Sequence, residues 1–262
     1  MKLLQQPVQT VNLQQLQAAL LKRVNQKVAV YWSGKVEEGV VPLEEKQRGP
    51  IDHVRHEEHL ADLRLFELQH FINIVDQLNG SIVHYVGTGD GRVLHDLAVY
   101  LNSRGKRIWA YDIGKAGVQK TQLAFSDAGT EEQNVVLQAD IESVCTEEIM
   151  LPDSSCLLAL PRILDILDKQ EPNYQSLAPE QRKMARVCRM IGPLLKFLKV
   201  FVIIREPLRN INAIWGDTTP SPLESVARYM SEGLGVEVEI IRLGFHQHYH
   251  HVNTAALLQA KF

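Results

Sequence analysis

Residues 82–86 read as a strand that runs directly into Gly87-Thr88-Gly89-Asp90-Gly91 and then into a helical pattern over residues 91–102. Few folds accommodate a strand that turns on three glycines into a helix. The glycines let the backbone bend sharply and approach a ligand with no Cβ between, and the helix start offers unpaired N–H groups. Downstream, strand and helix alternate: strand 107–111, helix 118–126, strand 134–138, strand 156–160, helix 181–195 and strand 199–204. Met184, Cys188, Ile191 and Leu195 share one face of the 181–195 helix. Strand 199–204 is an almost unbroken apolar run, as in strands covered on both faces, so the pattern predicts a mostly parallel sheet with helices on both sides. Residues 237–243 and 252–259 read as strands with no helix-length segment between them. They predict an antiparallel hairpin at the sheet edge.

Upstream of the glycine loop, residues 1–50 read as an N-terminal extension and residues 51–262 as the main domain. Leu13, Leu16, Leu20, Leu21 and Val24 suggest an amphipathic helix, residues 28–32 a short strand, and Gly49-Pro50 a break. Leu60, Leu63, Phe66, Phe71, Ile74 and Leu78 then recur at helical spacing. Leu65, Leu68, Ile72 and Val75 broaden that stripe, which predicts a helix covered on more than one side and stopped by Asn79-Gly80. No apolar run is long enough for a membrane helix, and the first residues carry charge without an apolar core, so neither a membrane span nor a signal peptide is expected. The three cysteines, Cys145, Cys156 and Cys188, form no CxxC pair and leave one over, which fits a reducing, cytoplasmic setting. A net charge of −3 gives no global attraction to nucleic acid.

The dinucleotide fingerprint GxGxxG needs glycine at position 92, where this chain has Arg92, so the spacing leans away from a nicotinamide cofactor and an oxidoreductase. Two acids sharpen the reading. Asp112 ends the second strand, where a carboxylate accepts ribose hydroxyls. Asp140, followed by Ile141, ends the third, where a carboxylate takes an adenine amino group. Three features at successive strand ends lie on the side where open α/β sheets bind ligands.

With these features, residues 80–262 resemble class I S-adenosylmethionine-dependent methyltransferases, down to Ile203-Ile204-Arg205-Glu206-Pro207 after the fifth strand. The resemblance implies an α/β, Rossmann-like doubly wound sheet of about seven strands with an antiparallel C-terminal hairpin. It also implies S-adenosylmethionine as cofactor, bound by Gly87, Thr88, Gly89, Asp90, Gly91, Asp112, Asp140 and Ile141. A narrower stretch, Asn79-Gly80-Ser81-Ile82-Val83-His84-Tyr85-Val86-Gly87 with Gly91, Leu97 and Gly105, is similar to poxvirus- and reovirus-type cap 2′-O-methyltransferases. That likeness makes RNA the leading acceptor class and leaves small molecules and proteins open. Those enzymes use a Lys-Asp-Lys-Glu tetrad. Here the fourth strand ends Leu158-Ala159-Leu160-Pro161 without the aspartate, and the fifth offers Arg205, which cannot surrender its proton to act as base. Glu224 is the candidate for the final glutamate, and Lys35 a candidate lysine from the extension. The catalytic candidates are therefore Arg205, Glu206 and Glu224, beside a loop over 207–222 that contains Trp215 and Asp217. The rival reading is a methyltransferase-fold scaffold that serves a protein partner without catalysis.

His246, His248, His250 and His251 lack a companion cysteine or carboxylate at ligand spacing, and His53, His56 and His59, at i, i+3 and i+6, drift around a helix, so no metal site is expected. Arg182, Arg186, Arg189 and Lys196 form a basic stripe that reads as a solvated outer face, with RNA phosphate or a partner as the alternative.

Overall fold

The structure, a computed structural model, describes residues 12–37, 50–146, 149, 154–171, 173–207, 221–248 and 251–261. Among the described residues, three helices precede the sheet: α1 (Leu13–Leu21), α2 (Gln26–Glu37) and α3 (Pro50–Val75). Strands and helices then alternate as β1 (Ile82–Val86), α4 (Arg92–Asn102), β2 (Arg107–Asp112), α5 (Lys115–Asp127), β3 (Val135–Gln138), α6 (Ile141–Val144) and β4 (Ser155–Pro161). They continue with α7 (Leu164–Leu167), α8 (Lys183–Ile191), β5 (Lys199–Pro207), α9 (Pro222–Leu234), β6 (Val238–His248) and β7 (His251–Ala260).

The seven strands are ordered β3-β2-β1-β4-β5-β7-β6. β3 through β5 are parallel, and β7 is antiparallel to both β5 and β6. The expected doubly wound sheet with its closing hairpin is what the chain forms, and β7, not β6, takes the inner place. Alternate residues of each strand feed two cores. Ile82, Val86, Leu158, Val200 and Val202 pack with α8 and α9, while Val83, Tyr85, Leu157, Phe201 and Ile203 pack with α3 and α4. Chain order reverses between β1 and β4, which is where such sheets bind ligands.

Three elements differ from expectation. Residues 28–32 lie in the helix α2, not in a strand. Among the described residues no strand lies beside them to pair with, whereas a helix meets its own backbone needs, and Asn25 Oδ1 accepts from Val28 N at 3.4 Å in the manner of an N-cap. The 181–195 helix is shorter, because Gly192 and Pro193 convert its last turn to a 3-10 segment; proline has no N–H for the α-helical bond. Residues 222–234 form α9, announced by a capping box in which Ser221 Oγ accepts from Glu224 N and Glu224 Oε2 accepts from Ser221 N.

α1 and α2 lie along the carboxyl edge of β2 and β3. The Gln17 amide donates to Gln138 O and accepts from Gln138 N, both at 3.2 Å, so one side chain pairs the edge strand's backbone as a neighbouring strand would. Leu20 is buried in the core beside it. Ser33 Oγ accepts from Ala116 N at 3.3 Å, and Lys120 Nζ donates to Val36 O at 2.6 Å, which ties α2 to α5.

Candidate active site

The glycine loop is fixed at the carboxyl end of β1. Gly87 N donates to Tyr111 O at 2.7 Å, joining the loop's first residue to β2. Gly87 has φ 81°, and a Cβ there would stand 1.9 Å from Ile163 Cδ1, so neither the conformation nor the space admits a larger residue. Gly89, at φ 57°, would direct a Cβ into open space. Gly91 precedes α4 and packs on the Lys120 backbone. Asp90 Oδ1 accepts from Arg92 N at 3.2 Å, and Asp90 Oδ2 accepts from Arg64 Nη2 of α3 at 2.8 Å.

Asp112 is buried beneath this loop. Its carboxylate accepts from Gly114 N at 2.7 Å, and from Gly89 N and Thr88 Oγ1 at 3.2 Å each. Burial pushes its pKa up, and these hydrogen bonds oppose the rise. The approach is close on the far side too: a Cβ on Gly117 would stand 2.6 Å from Asp112 Cγ. Asp112 therefore clamps the loop to β2 in the protein alone, a task beyond the ribose contact expected of it.

Asp140 caps α6, accepting from Glu142 N at 3.0 Å, and meets Lys183 Nζ at 3.2 Å. Lys183 is buried, and its ammonium also donates to Gln170 Oε1 at 2.7 Å. The acid at this strand end comes with a built-in cation that sequence spacing does not announce. Ile141 is buried in the core, 5% exposed.

The catalytic candidates separate. Arg205 is exposed, and its backbone N donates to Asp165 Oδ2 at 3.1 Å. Glu206 is buried at 2% exposure and accepts from Thr254 Oγ1 at 2.5 Å. Glu224 is engaged in the α9 capping box, with Arg242 Nη2 3.6 Å from its Oε1. Residues 208–220, with Trp215 and Asp217, lie outside the described residues, as do His250 and the side chains of His53, His56, His59, His248 and His251. His246 packs its ring on Phe66, centroids 5.6 Å apart. Among the described residues, no three His, Cys, Asp or Glu side chains converge as a metal site would require. Lys35 Nζ lies 5.8 Å from the centroid of the Tyr31 ring on its own helix.

Sequence reasoning passed over a second polar group at the same edge. Asp165, just beyond β4, has its pKa raised to about 6 by burial, against the pull of the Arg205 backbone N–H and cation. Glu67 of α3 is fully buried and accepts from the Tyr85 hydroxyl, with Arg162 Nη2 3.9 Å from its other oxygen. A glutamate beside Phe66 within an apolar helical stripe was the available signal for it. The basic stripe on α8 is largely neutralised. Arg186 pairs with Glu171 at 2.6 Å and Arg189 with Glu232 at 2.8 Å, while Arg182 Nε donates to Leu177 O.

A sheet ordered 3-2-1-4-5-7-6 with its seventh strand antiparallel, and a glycine loop at the β1 end, define the class I methyltransferase fold. A solved structure shares this fold. Magnesium protoporphyrin IX methyltransferase from Synechocystis PCC 6803, crystallised with bound SAH, superposes with a TM-score of 0.53 and 12% identity, covering 90% of this chain and 99% of its own. The mitomycin 7-O-methyltransferase MmcR gives a TM-score of 0.46 at 14% identity, over 75% of this chain and 54% of its own. The bifunctional kinase-methyltransferase WbdD gives 0.48 at 13% identity, over 76% of this chain and 39% of its own. The chain thus spans about two fifths of the WbdD length. At these identities the likeness is one of fold. No family model and no curated protein matches the sequence. Among the described residues, no helix is long and apolar enough to cross a membrane.

Proposed function

We propose that this chain is an S-adenosylmethionine-dependent methyltransferase. The observation that carries the reading is the loop at the β1/β4 reversal, where Gly89 turns bare left-handed backbone to open space above the buried Asp112 carboxylate. Those residues fit the cofactor: Gly87, Thr88, Gly89, Asp90 and Gly91 form its cradle, Asp112 suits ribose hydroxyls, and Asp140 suits the adenine edge, with Ile141 packed behind it. When bound, the cofactor supplies a methyl group on a sulfonium, open to in-line displacement. The protein's share is to orient the acceptor and, for a hydroxyl, to take its proton. Asp165, with a pKa of about 6 beside exposed Arg205, is the group at this edge best matched to receive a proton near neutral pH.

RNA is the acceptor class favoured by the motif likeness over residues 79–105, with Arg205 as the contact that would neutralise a developing oxyanion. The buried cysteines suit a reducing cytoplasm. The second reading, a scaffold without catalysis, is favoured by the engagement of Glu206 with Thr254 and of Glu224 within its capping box. Calorimetry against S-adenosylmethionine, S-adenosylhomocysteine and NAD tests the cofactor; binding of NAD alone overturns it. Transfer of label from S-adenosylmethionine to capped or uncapped RNA tests the acceptor. Cofactor binding without transfer, unchanged in Asp165→Asn and Lys35→Ala, supports the scaffold.

A further inference from the structure

Two buried polar atoms near the β1/β4 crevice have no hydrogen-bond partner among the described residues: Glu67 Oε2 and Arg162 Nε. They belong to side chains that nearly meet, with Arg162 Nη2 3.9 Å from Glu67 Oε2. A buried polar atom left unpaired costs about 1–3 kcal/mol, so two together call for an explanation. Arg162 carries a further cost. Among the described residues it alone, apart from glycines, has a positive φ, at 58°. Glycine or asparagine would take that conformation more easily, so the fold by itself gives no reason for arginine. Strain of this kind collects where a ligand is held.

The surroundings indicate which ligand. Arg162 N donates to Ile203 O at 2.9 Å, which anchors the turn to β5. The next side chain, Ile163, lies directly against Gly87, so this turn spans from the β5 end to the glycine loop. The guanidinium side chain is 42% exposed at that border while Glu67 lies wholly buried beneath it. A half-exposed guanidinium with a carboxylate below it suits a planar anion from the crevice.

We propose that Arg162, positioned by Glu67, binds the α-carboxylate at the amino-acid end of the cofactor. The pair thereby selects ligands that carry that carboxylate over those that end in adenosine and thioether alone. Arg162 is the contacting residue and Glu67 the positioning one. The inference rests on the cofactor reading above.

The test compares calorimetric affinities for S-adenosylhomocysteine and 5′-methylthioadenosine, which share the adenosine and sulfur but differ in the amino-acid end. The wild type should prefer S-adenosylhomocysteine by about tenfold or more, the worth of one charge-assisted hydrogen bond or more. Arg162→Gly should abolish most of that preference and leave 5′-methylthioadenosine affinity unchanged. Glycine accepts the positive φ without strain, which offsets part of what buried Glu67 loses with its cation, and the retained 5′-methylthioadenosine affinity shows that the site itself stays folded. Glu67→Gln keeps an oxygen for the Tyr85 hydroxyl and should reduce the preference in part. Equal affinities in the wild type, or parallel weakening of both ligands in Arg162→Gly, overturn the assignment. If neither ligand binds the wild type, the cofactor reading itself falls.

Discussion

Neighbouring residues on β1 place two buried polar side chains on opposite faces of one sheet, and their circumstances differ. His84 faces α8 and α9. Its Nδ1 meets the Tyr111 hydroxyl at 3.0 Å and its Nε2 the Ser155 hydroxyl at 2.7 Å, so both ring nitrogens are satisfied. Burial holds its pKa down to about 3, which keeps the ring neutral. Tyr85 faces α3 and reaches Glu67, whose second oxygen has no hydrogen-bond donor among the described residues. Both side chains are buried and both are polar. The first network is closed and serves the fold; the second ends on the half-exposed guanidinium of Arg162, 3.9 Å from that oxygen.

The largest expected effect lies in the closed network. His84→Ala removes a fully buried ring and orphans two hydroxyls, and should lower stability by about 3–5 kcal/mol in urea unfolding. Under native conditions the folded fraction should keep its affinity for S-adenosylhomocysteine. A fold-neutral His84→Ala would show that the two faces are not divided in this way.

Next in size is the buried acid under the loop. Asp112→Ala should weaken S-adenosylhomocysteine by about tenfold or more, since a charged hydrogen bond is worth about 1.5–3 kcal/mol. Because Asp112 also accepts from Gly114 N, Gly89 N and Thr88 Oγ1, the same change should cost stability, unlike a pure ligand contact. Unaltered affinity in calorimetry removes Asp112 from the site.

What the sequence disclosed follows from the range of each signal. Strand-length apolar runs and the glycine loop are local patterns, so β1 to β5, the hairpin and the turn on glycines after β1 are legible. Residues 28–32 misled because Val28 and Val30 suit a strand, while Asn25 as a helix cap was passed over. α9 is announced only by the capping box Ser221-Pro222-Leu223-Glu224, in which Glu224 reads equally well as an acid with a chemical role. The pairings Asp140–Lys183 and Glu67–Arg162 join residues 43 and 95 positions apart, and no local pattern carries them. Burial decides their character, and burial is a property of the whole fold.

The loop offers a finer comparison. Gly87→Ala must displace Ile163 as well as adopt a left-handed φ, so it should unfold the loop and lower the melting temperature. Gly89→Ala meets only the conformational cost, about 1–2 kcal/mol, with a circular dichroism spectrum like the wild type. Cofactor binding should nevertheless be lost, because the new Cβ enters the ligand's space. Wild-type affinity in Gly89→Ala would place the ligand elsewhere.

The smallest effect distinguishes the two regions by the sign of their pH dependence. His84 is neutral in the folded protein down to about pH 3, whereas the unfolded ring takes a proton below about 6.5. Below pH 6.5 the unfolded chain therefore binds more protons, and this network adds stability as pH rises towards 6.5. Asp165 works in the opposite direction. Its folded pKa of about 6 exceeds the ordinary 3.8, so between those values the folded protein holds the extra proton and stability falls as pH rises. Burial raises Glu67 and Asp112 in the same sense as Asp165. The opposing slopes overlap between about pH 4 and pH 6 and flatten the wild-type profile. Asp165→Asn keeps an oxygen for Arg205 N and removes one falling contribution, so stability should rise more steeply with pH across that window. One proton contributes at most about 1.4 kcal/mol per pH unit, and the gain at pH 7.5 should be about 1 kcal/mol, since solvent and Arg205 temper the cost of the charge. Urea midpoints at pH 4.5, 5.5, 6.5 and 7.5 give the slopes. Parallel profiles for wild type and variant would mean that Asp165 titrates alike in both states, and a pKa near neutrality would no longer mark it as the proton acceptor at the crevice.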